Sequence, residues 1–327
     1  MTDTTLAAIV RAPGGPDAIA IDTITLPPPT PHEARIRHTA IGVNFVDTYH
    51  RSGLYKQPLP LVLGVEGAGV VEAVGAAVTR VRVGDRVGYG AAGPGGYAER
   101  RNIAADRLIA LPDAVSDEVA AAALLKGMTV EALIRRCYAV KPGDTVLFHA
   151  AAGGVGLIAC QWLAHLGATV IGTVGSEEKA ALAKANGAHH TILYRHEDFA
   201  ARVRELTGGR GVPVAYDSVG KDTFHRTLDC LAPRGLAVSF GNASGPPAPI
   251  DMLTLSAKGS LFVTRPTLYA YTQAPAEHDA CAAAVLDVLA RGVVKVEVRH
   301  RFSLKDAAEA HRTLESRATT GSMLLIP

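Results

Sequence analysis

Residues 1 to about 115 carry apolar side chains on a short period. Arg35-Ile36-Arg37-His38-Thr39-Ala40-Ile41 and Arg80-Val81-Arg82-Val83, the latter just ahead of a Gly84-Asp85 turn, alternate polar and apolar positions, which predicts strands. The glycine-bounded run Gly67-Ala68-Gly69-Val70-Val71-Glu72-Ala73-Val74-Gly75 predicts another, and Pro27-Pro28-Pro29 with Pro31 marks a stiff connection. Short strands between Gly and Pro turns imply a compact, mostly antiparallel, barrel-like domain.

The pattern changes at Ser116. Ser116-Asp117-Glu118 supplies an N-cap and first-turn acids ahead of an Ala- and Leu-rich helix. Strands and helices then alternate: a strand at 145–149, a helix at 155–166, a strand at 168–174 and a helix at 177–185. Strands follow at 191–194, 212–217, 235–240 and 259–264, with helices between them. Such alternation predicts an α/β fold with a doubly wound parallel sheet. After Pro266 the chain predicts a helix near 277–291, a strand at 293–298, a helix at 304–316 and a terminal strand at 322–326. The expected organisation is a nucleotide domain, 126–266, inserted into a β-rich domain made of 1–125 and 267–327.

Composition sharpens this in three places. From Thr145 to Ser176 there are 32 residues without Asp, Glu, Lys or Arg, longer than the ~20 a membrane span needs. Six glycines and His149, Gln161 and His165 interrupt the stretch, so a β-α-β unit buried on both faces is the better reading. The balance of 33 basic and 31 acidic residues leaves +2, which argues against nucleic acid as a partner. Four scattered cysteines without a C-x-x-C argue against a disulfide framework and a Cys-built zinc site. MTDTTLAAIVR has no basic region before an apolar run, so the expected location is the cytoplasm.

The first strand of the nucleotide domain runs into Ala151-Ala152-Gly153-Gly154-Val155-Gly156, a G-x-G-x-x-G pattern with Ala in the first position. Gly153 lets backbone approach a pyrophosphate, Gly156 lets helix and strand pack closely, and the helix N-terminus offers amides to the anion. An NAD site places an acid at the end of the second strand; here that strand ends Gly172-Thr173-Val174-Gly175-Ser176. Ser176 and Lys179 suit a 2′-phosphate instead, which favours NADPH. A capping serine and a solvated lysine account for the same two residues.

These residues, with Gly42-Val43-Asn44-Phe45-Val46-Asp47-Thr48-Tyr49, Arg51-Ser52-Gly53-Leu54-Tyr55, Gly64-Val65-Glu66-Gly67-Ala68-Gly69, Gly84-Asp85-Arg86-Val87, Tyr216-Asp217-Ser218-Val219-Gly220, Ser239-Phe240-Gly241-Asn242 and Glu315-Ser316-Arg317-Ala318-Thr319, carry a likeness. Over essentially its whole length the chain resembles the zinc-free, zeta-crystallin-like quinone oxidoreductases of the medium-chain dehydrogenase/reductase superfamily. The resemblance implies a GroES-like β-rich catalytic domain plus a Rossmann domain, NADPH in the cleft between them, and a homodimer pairing near Gly259 to Thr264. It implies cofactor contacts from Asn44, Gly153, Gly154, Val155, Ser176, Lys179, Tyr194, Ser218, Phe240, Asn242 and Arg317.

The zinc alcohol dehydrogenases of that superfamily carry Cys and His where this chain has Asn44 and Val65, and residues 85–105 contain no cysteine. No metal is therefore expected. Without a Lewis acid, hydride transfer to an already electrophilic quinone is the activity implied; an enone, alkenal or enoyl-thioester is the alternative acceptor. A non-enzymatic structural or RNA-binding role, known among such relatives, is a further alternative. Beside Asn44, Tyr49 and Tyr55 are the candidate catalytic donors that orient the substrate oxygen, or they only line the pocket while solvent delivers the proton.

Overall fold

The computed structural model describes residues 3–327. Its strands are β1 (Thr4–Val10), β2 (Ile19–Thr25), β3 (Glu33–Val43), β4 (Leu61–Val62), β5 (Gly67–Val74), β6 (Arg86–Tyr89), β7 (Arg100–Ala104) and β8 (Ile109–Ala110). They continue as β9 (Thr145–Phe148), β10 (Thr169–Val174), β11 (His190–Leu193), β12 (Val212–Asp217), β13 (Leu231–Ser239), β14 (Phe262–Thr264), β15 (Val298–Ser303) and β16 (Ser322–Ile326). The helices used below are α1 (Phe45–Ser52), α2 (Asp117–Glu131), α3 (Gly154–His165), α4 (Glu177–Ala185), α5 (Phe199–Leu206) and α6 (Phe224–Thr227). Toward the C-terminus lie α7 (Met252–Ala257), α8 (Leu268–Tyr271), α9 (Pro275–Ala290) and α10 (Ala307–Glu315).

Two compact units result. One runs to Met128 and resumes over Thr272–Ala290 and Val296–Pro327; the other holds Thr129–Tyr271 and Arg291–Lys295. Against the expected boundaries at 125/126 and 266/267, these divisions fall a few residues later. The stretch 291–295 groups with the second unit because Gln161 grips Lys295 from both sides. Its Nε2 donates to Lys295 O (3.1 Å), and its Oε1 accepts from Lys295 N (2.9 Å).

The first unit is the β-rich one. Its larger sheet has the order β15-β16-β3-β5-β6-β8 with β7 also on β3, and its smaller sheet the order β2-β1-β4. Pairing is antiparallel except between β15 and β16. Val10, Ile41, Leu63, Tyr97 and Leu325 meet in one core cluster, and Ile36, Val71, Val87 and Leu108 in another. Two sequence expectations fail here. Arg80–Val83 is not a strand; it leads into the turn before β6, where Asp85 Oδ2 takes the Arg82 amide (2.9 Å). The strand expected at 293–298 instead occupies 298–303, since 291–295 is held by Gln161. The β14 strand also shortens, to 262–264, because Gly259 and Ser260 take positive φ.

The second unit is a parallel sheet ordered β11-β10-β9-β12-β13-β14. Order reverses on the two sides of β9, so the carboxyl end of β9 is the switch point at which such sheets bind ligands. Leu147, Ile171, Ile192, Ala215 and Ala237 form its core. Strands β9 and β10 and helix α3 are buried almost throughout, which explains the uncharged stretch.

The turn between β9 and α3 is set by crowding. A Cβ on Gly156 would press into Ala150 O and lie 2.7 Å from Ala151 Cα, so no larger residue fits. Ala151 fits the first fingerprint position because Gly172 on β10 leaves it room; a Cβ there would sit 2.6 Å from Ala151 Cβ. At Gly153 only Ala150 O, at 3.3 Å, comes within 4 Å of an added Cβ. Gly156→Ala is therefore expected to lower stability by about 1–3 kcal/mol in urea unfolding. Gly153→Ala should leave stability within about 0.5 kcal/mol of the parent. Equal losses at both positions would contradict the packing argument.

Candidate functional site

In the nucleotide unit, the expected cofactor residues gather along one edge of the sheet. Gly153 is the N-cap of α3, with Gly154 and Val155 in its first turn. Ser176 caps α4 after β10, Tyr194 follows β11, Ser218 follows β12, and Phe240 and Asn242 follow β13. All lie at carboxyl ends of parallel strands. Ala150, at the same turn, holds a positive φ of 54°, which L-residues adopt at a cost.

At the far end of this edge, Ser176 Oγ accepts from Lys179 N (3.3 Å), so the serine does cap its helix. The Lys179 ammonium is held below its usual value, first by burial and then by the charge of Arg195. Arg195 lies over the Tyr194 ring, 5.9 Å from its centroid, and beside Gly175. It has no hydrogen-bond or ion-pair partner among the described residues. Two neighbouring cations after the second and third strands form a place for an anion. Sequence reading found Lys179 and missed Arg195, although its position directly after the third strand was the available signal.

Beneath this edge is a buried polar network. Asp217 Oδ1 accepts from Val219 N (2.8 Å) and Gly220 N (2.9 Å), and Oδ2 from Thr223 Oγ1 (2.7 Å) and Thr227 Oγ1 (2.9 Å). His149 bridges Thr173 (2.8 Å) and Thr227 (2.9 Å), and burial lowers its pKa, leaving it neutral. This carboxylate shapes the turn that carries Ser218. Arg265 does the same for the next turn, donating to Ser239 Oγ (2.8 Å) and Gly241 O (2.9 Å). These residues fit a dinucleotide: an open glycine turn at a helix start, braced loops, and paired cations at one end.

In the β-rich unit, β3 ends at Val43 and Asn44 becomes the N-cap of α1. Tyr49 is buried on α1, and Tyr55 packs edge-on against it with centroids 5.2 Å apart. The structure thus brings Tyr49 and Tyr55 together. Arg317, after α10, holds a positive φ of 56°, an unusual conformation for arginine.

Asn44 is positioned by two buried carboxyls that sequence reading left unassigned. Its Nδ2 donates to Glu66 Oε2 (2.9 Å), which also accepts from Lys126 Nζ (3.0 Å), while Glu66 Oε1 accepts from Leu125 N (2.7 Å). Its backbone N–H donates to Asp47 Oδ2 (2.8 Å). Arg51 donates to His311 Nδ1 (2.9 Å), so His311 carries its proton on Nε2 and donates to Tyr97 Oη (3.1 Å). Tyr97 in turn donates to Asp47 Oδ2 (3.0 Å). Burial and the Arg51 charge push His311 down to about 3. Burial raises Asp47 to about 7, with Glu66 adding to the rise, and its Oδ1 has no hydrogen-bond partner among the described residues. The only sequence signal for Lys126 was a lone charge inside Leu124-Leu125-Lys126-Gly127-Met128.

Two family models match the chain: an alcohol dehydrogenase GroES-like domain over residues 30–113 and a zinc-binding dehydrogenase domain over 154–276. A quinone oxidoreductase of Pseudomonas aeruginosa is 53% identical over 96% of this chain and 97% of that protein. The chain belongs to the quinone oxidoreductases of the medium-chain dehydrogenase/reductase superfamily. A 2-haloacrylate reductase of a Burkholderia species is 47% identical over 98% of the chain and 99% of its own length. The Escherichia coli quinone oxidoreductase complexed with NADPH superposes with a TM-score of 0.96 at 49% identity, covering 99% of this chain and 100% of that one. One model carries zinc in its name; at the positions that the resemblance gives to zinc ligands this chain has Asn44, whose amide is engaged with Glu66, and Val65. Among the described residues no group of three or more His, Cys, Asp or Glu could hold a metal.

The Asp47 carboxyl gives a pH prediction. Its folded pKa of about 7 lies above the ordinary 3.8, so the folded state keeps the proton longer than the unfolded one. Stability from this group is complete below pH 3.8 and is lost as pH rises to about 7. Relative to Asp47→Asn, the parent should lose up to about 4 kcal/mol between pH 4 and 8 in denaturant titrations. A difference independent of pH would remove the assignment.

Proposed function

We propose that this chain is an NADPH:quinone oxidoreductase that works without a metal. NADPH supplies a hydride when bound. The nucleotide unit receives it: the α3 N-terminus at Gly153, Gly154 and Val155 faces the pyrophosphate with backbone amides, while Ser176, Lys179 and Arg195 take the 2′-phosphate. Tyr194, Ser218, Phe240 and Asn242 line the same strand ends, and the family likeness adds Asn44 and Arg317 as cofactor contacts. The observation that carries NADPH over NADH is the Lys179–Arg195 pair standing where an NAD enzyme has an acid. The quinone rests on the relatives, which share about half their residues with this chain over nearly full length.

In the β-rich unit Asn44, Tyr49 and Tyr55 orient the acceptor. The tyrosine rings offer apolar walls and their hydroxyls hydrogen bonds to a carbonyl oxygen. A second reading, reduction of an activated C=C bond, is favoured by the likeness to the 2-haloacrylate reductase. An NADPH-oxidation screen over naphthoquinones, simple enones, 2-haloacrylate and enoyl-thioesters separates the two by kcat/KM. Oxidation with none of them would overturn both.

We also propose that the chain forms a homodimer. Strand β14 ends its sheet, and Phe262 on it is 61% exposed beside Val263, with Met252 and Leu253 of α7 and Tyr269 of α8 also exposed. An apolar sheet edge of this kind pairs with another strand. No helix among the described residues is long and apolar enough to cross a membrane. The four cysteines are free thiols, which suits a reducing cytoplasm.

Two measurements follow. Lys179→Glu should cut kcat/KM for NADPH by about 10- to 100-fold, the worth of a charge-assisted hydrogen bond, and change NADH far less. Equal losses for the two cofactors would remove the phosphate assignment. Phe262→Glu should shift the sedimenting mass from dimer to monomer; an unchanged mass would place the interface elsewhere.

A further inference from the structure

Lys126 is a cation buried beside Asn44. It is 6% exposed, and its ammonium makes one hydrogen bond among the described residues, to Glu66 Oε2 at 3.0 Å. An ammonium has three N–H donors, so two remain unmatched in an interior where an unmatched donor costs about 1–3 kcal/mol. Glu66 is wholly buried and is the counter-charge that allows an ammonium there at all. Its other oxygen is locked by Leu125 N at 2.7 Å, so the carboxylate cannot turn away from the lysine. Asn44 Nδ2 sits on the same Glu66 oxygen, at 2.9 Å, so Lys126 Nζ and the Asn44 amide are no further apart than two hydrogen bonds laid end to end. Asn44 begins the helix that carries Tyr49. The second carboxyl nearby, Asp47, is raised by burial to about 7, so it is about half ionised at neutral pH.

We propose that Lys126 is a catalytic residue whose free Nζ–H groups hold the acceptor oxygen as negative charge collects on it. This deepens the quinone-reductase reading and rests on it. When the conjugated acceptor takes up a hydride, a C–H bond of the dihydronicotinamide would break, a new C–H bond would form on the acceptor and a π-electron pair would be displaced onto its carbonyl oxygen; the acceptor is reduced by two electrons and NADPH is oxidised to NADP+. The oxyanion accepts hydrogen bonds from Lys126, and a proton from solvent water then makes it a hydroxyl. The lysine keeps its own proton throughout. It supplies electrostatic stabilisation in a site whose chain offers no metal, and it does so with donors already desolvated and fixed before the substrate arrives.

The test removes the charge pair as a pair. Glu66→Gln/Lys126→Met leaves neither a buried carboxylate nor a buried ammonium unpaired, so the fold is spared the penalty that Lys126→Met alone would incur. In this double variant kcat for a naphthoquinone should fall about 100-fold, while the Kd of NADPH, read by its fluorescence, stays within about twofold. A folded double variant with kcat within threefold of the parent overturns the proposal, because a purely structural lysine would be replaced without loss. A second readout needs no variant. 4-Nitrophenol bound to the NADP+ complex mimics the reduced acceptor, and its phenolate absorbance should titrate at least one pH unit below that of the free phenol. No binding, or an unshifted titration, overturns the proposal even if the double variant fails to fold. If the native protein oxidises no NADPH with a naphthoquinone, the quinone reading fails instead, and the phenol titration still reports on the Lys126 donors.

Discussion

A carboxylate taken out of water must be given donors, and two such carboxylates organise this molecule. Glu66 is met by a backbone amide, an amide side chain and an ammonium; Asp217 is met by two backbone amides and two threonine hydroxyls. In each case the donors come from separate segments, so satisfying the charge forces those segments together. Glu66 pulls the start of α1 and the middle of α2 onto the edge of β5. Asp217 folds the loop after β12 back toward α6 and, through Thr227, reaches His149 at the end of β9. Neither arrangement is a strong source of stability, because desolvation offsets most of the attraction. What each provides is a single geometry for the residues beside it: Asn44 in one unit, the loop of Ser218 in the other.

The nucleotide unit adds a steric constraint to this electrostatic one. Its first turn works because three small residues share one small space. Gly156 admits Ala150 O and the Ala151 backbone, and Gly172 admits the Ala151 methyl. An alanine at the first fingerprint position is thus a traded methyl, with the neighbouring strand giving up its own. Gly153 alone is not required by its surroundings. Glycines that serve packing are thus distinct from the one glycine that leaves open space at the start of α3.

Much of the architecture was legible in advance because it follows local rules. The change from period-two alternation to β-α units, the cap at Ser116, and the small residues of the fingerprint are read within windows of a few residues, and all reappear in the structure. The failures are equally physical. Arg80–Val83 alternates like a strand, yet the Asp85 side chain ties its end into a turn. Strand β15 begins five residues late because a distant glutamine claims the segment before it. The run from Gly259 likewise loses its first residues to positive φ at Gly259 and Ser260.

Residue order by itself determined the fold class, the small-residue turn between β9 and α3, and the phosphate-binding promise of Lys179, while the family resemblance added that Asn44 and Val65 replace zinc ligands. Each depends on a residue type at a place the local pattern already defines. Only the tertiary structure decided that Arg195 stands beside Lys179, that Tyr97 and His311 complete the bonding of Asp47, and that Lys126 meets Glu66 next to Asn44. Those pairs lie 16, 50, 214 and 60 positions apart along the chain where Arg195–Lys179, Tyr97–Asp47, His311–Tyr97 and Lys126–Glu66 are counted. For Asp47, Tyr97, His311, Glu66 and Lys126 the meaning comes from burial, which turns an ordinary charge or dipole into one that must be matched, while exposed Arg195 matters through its proximity to Lys179; both are properties of the packed chain, not of any window within it.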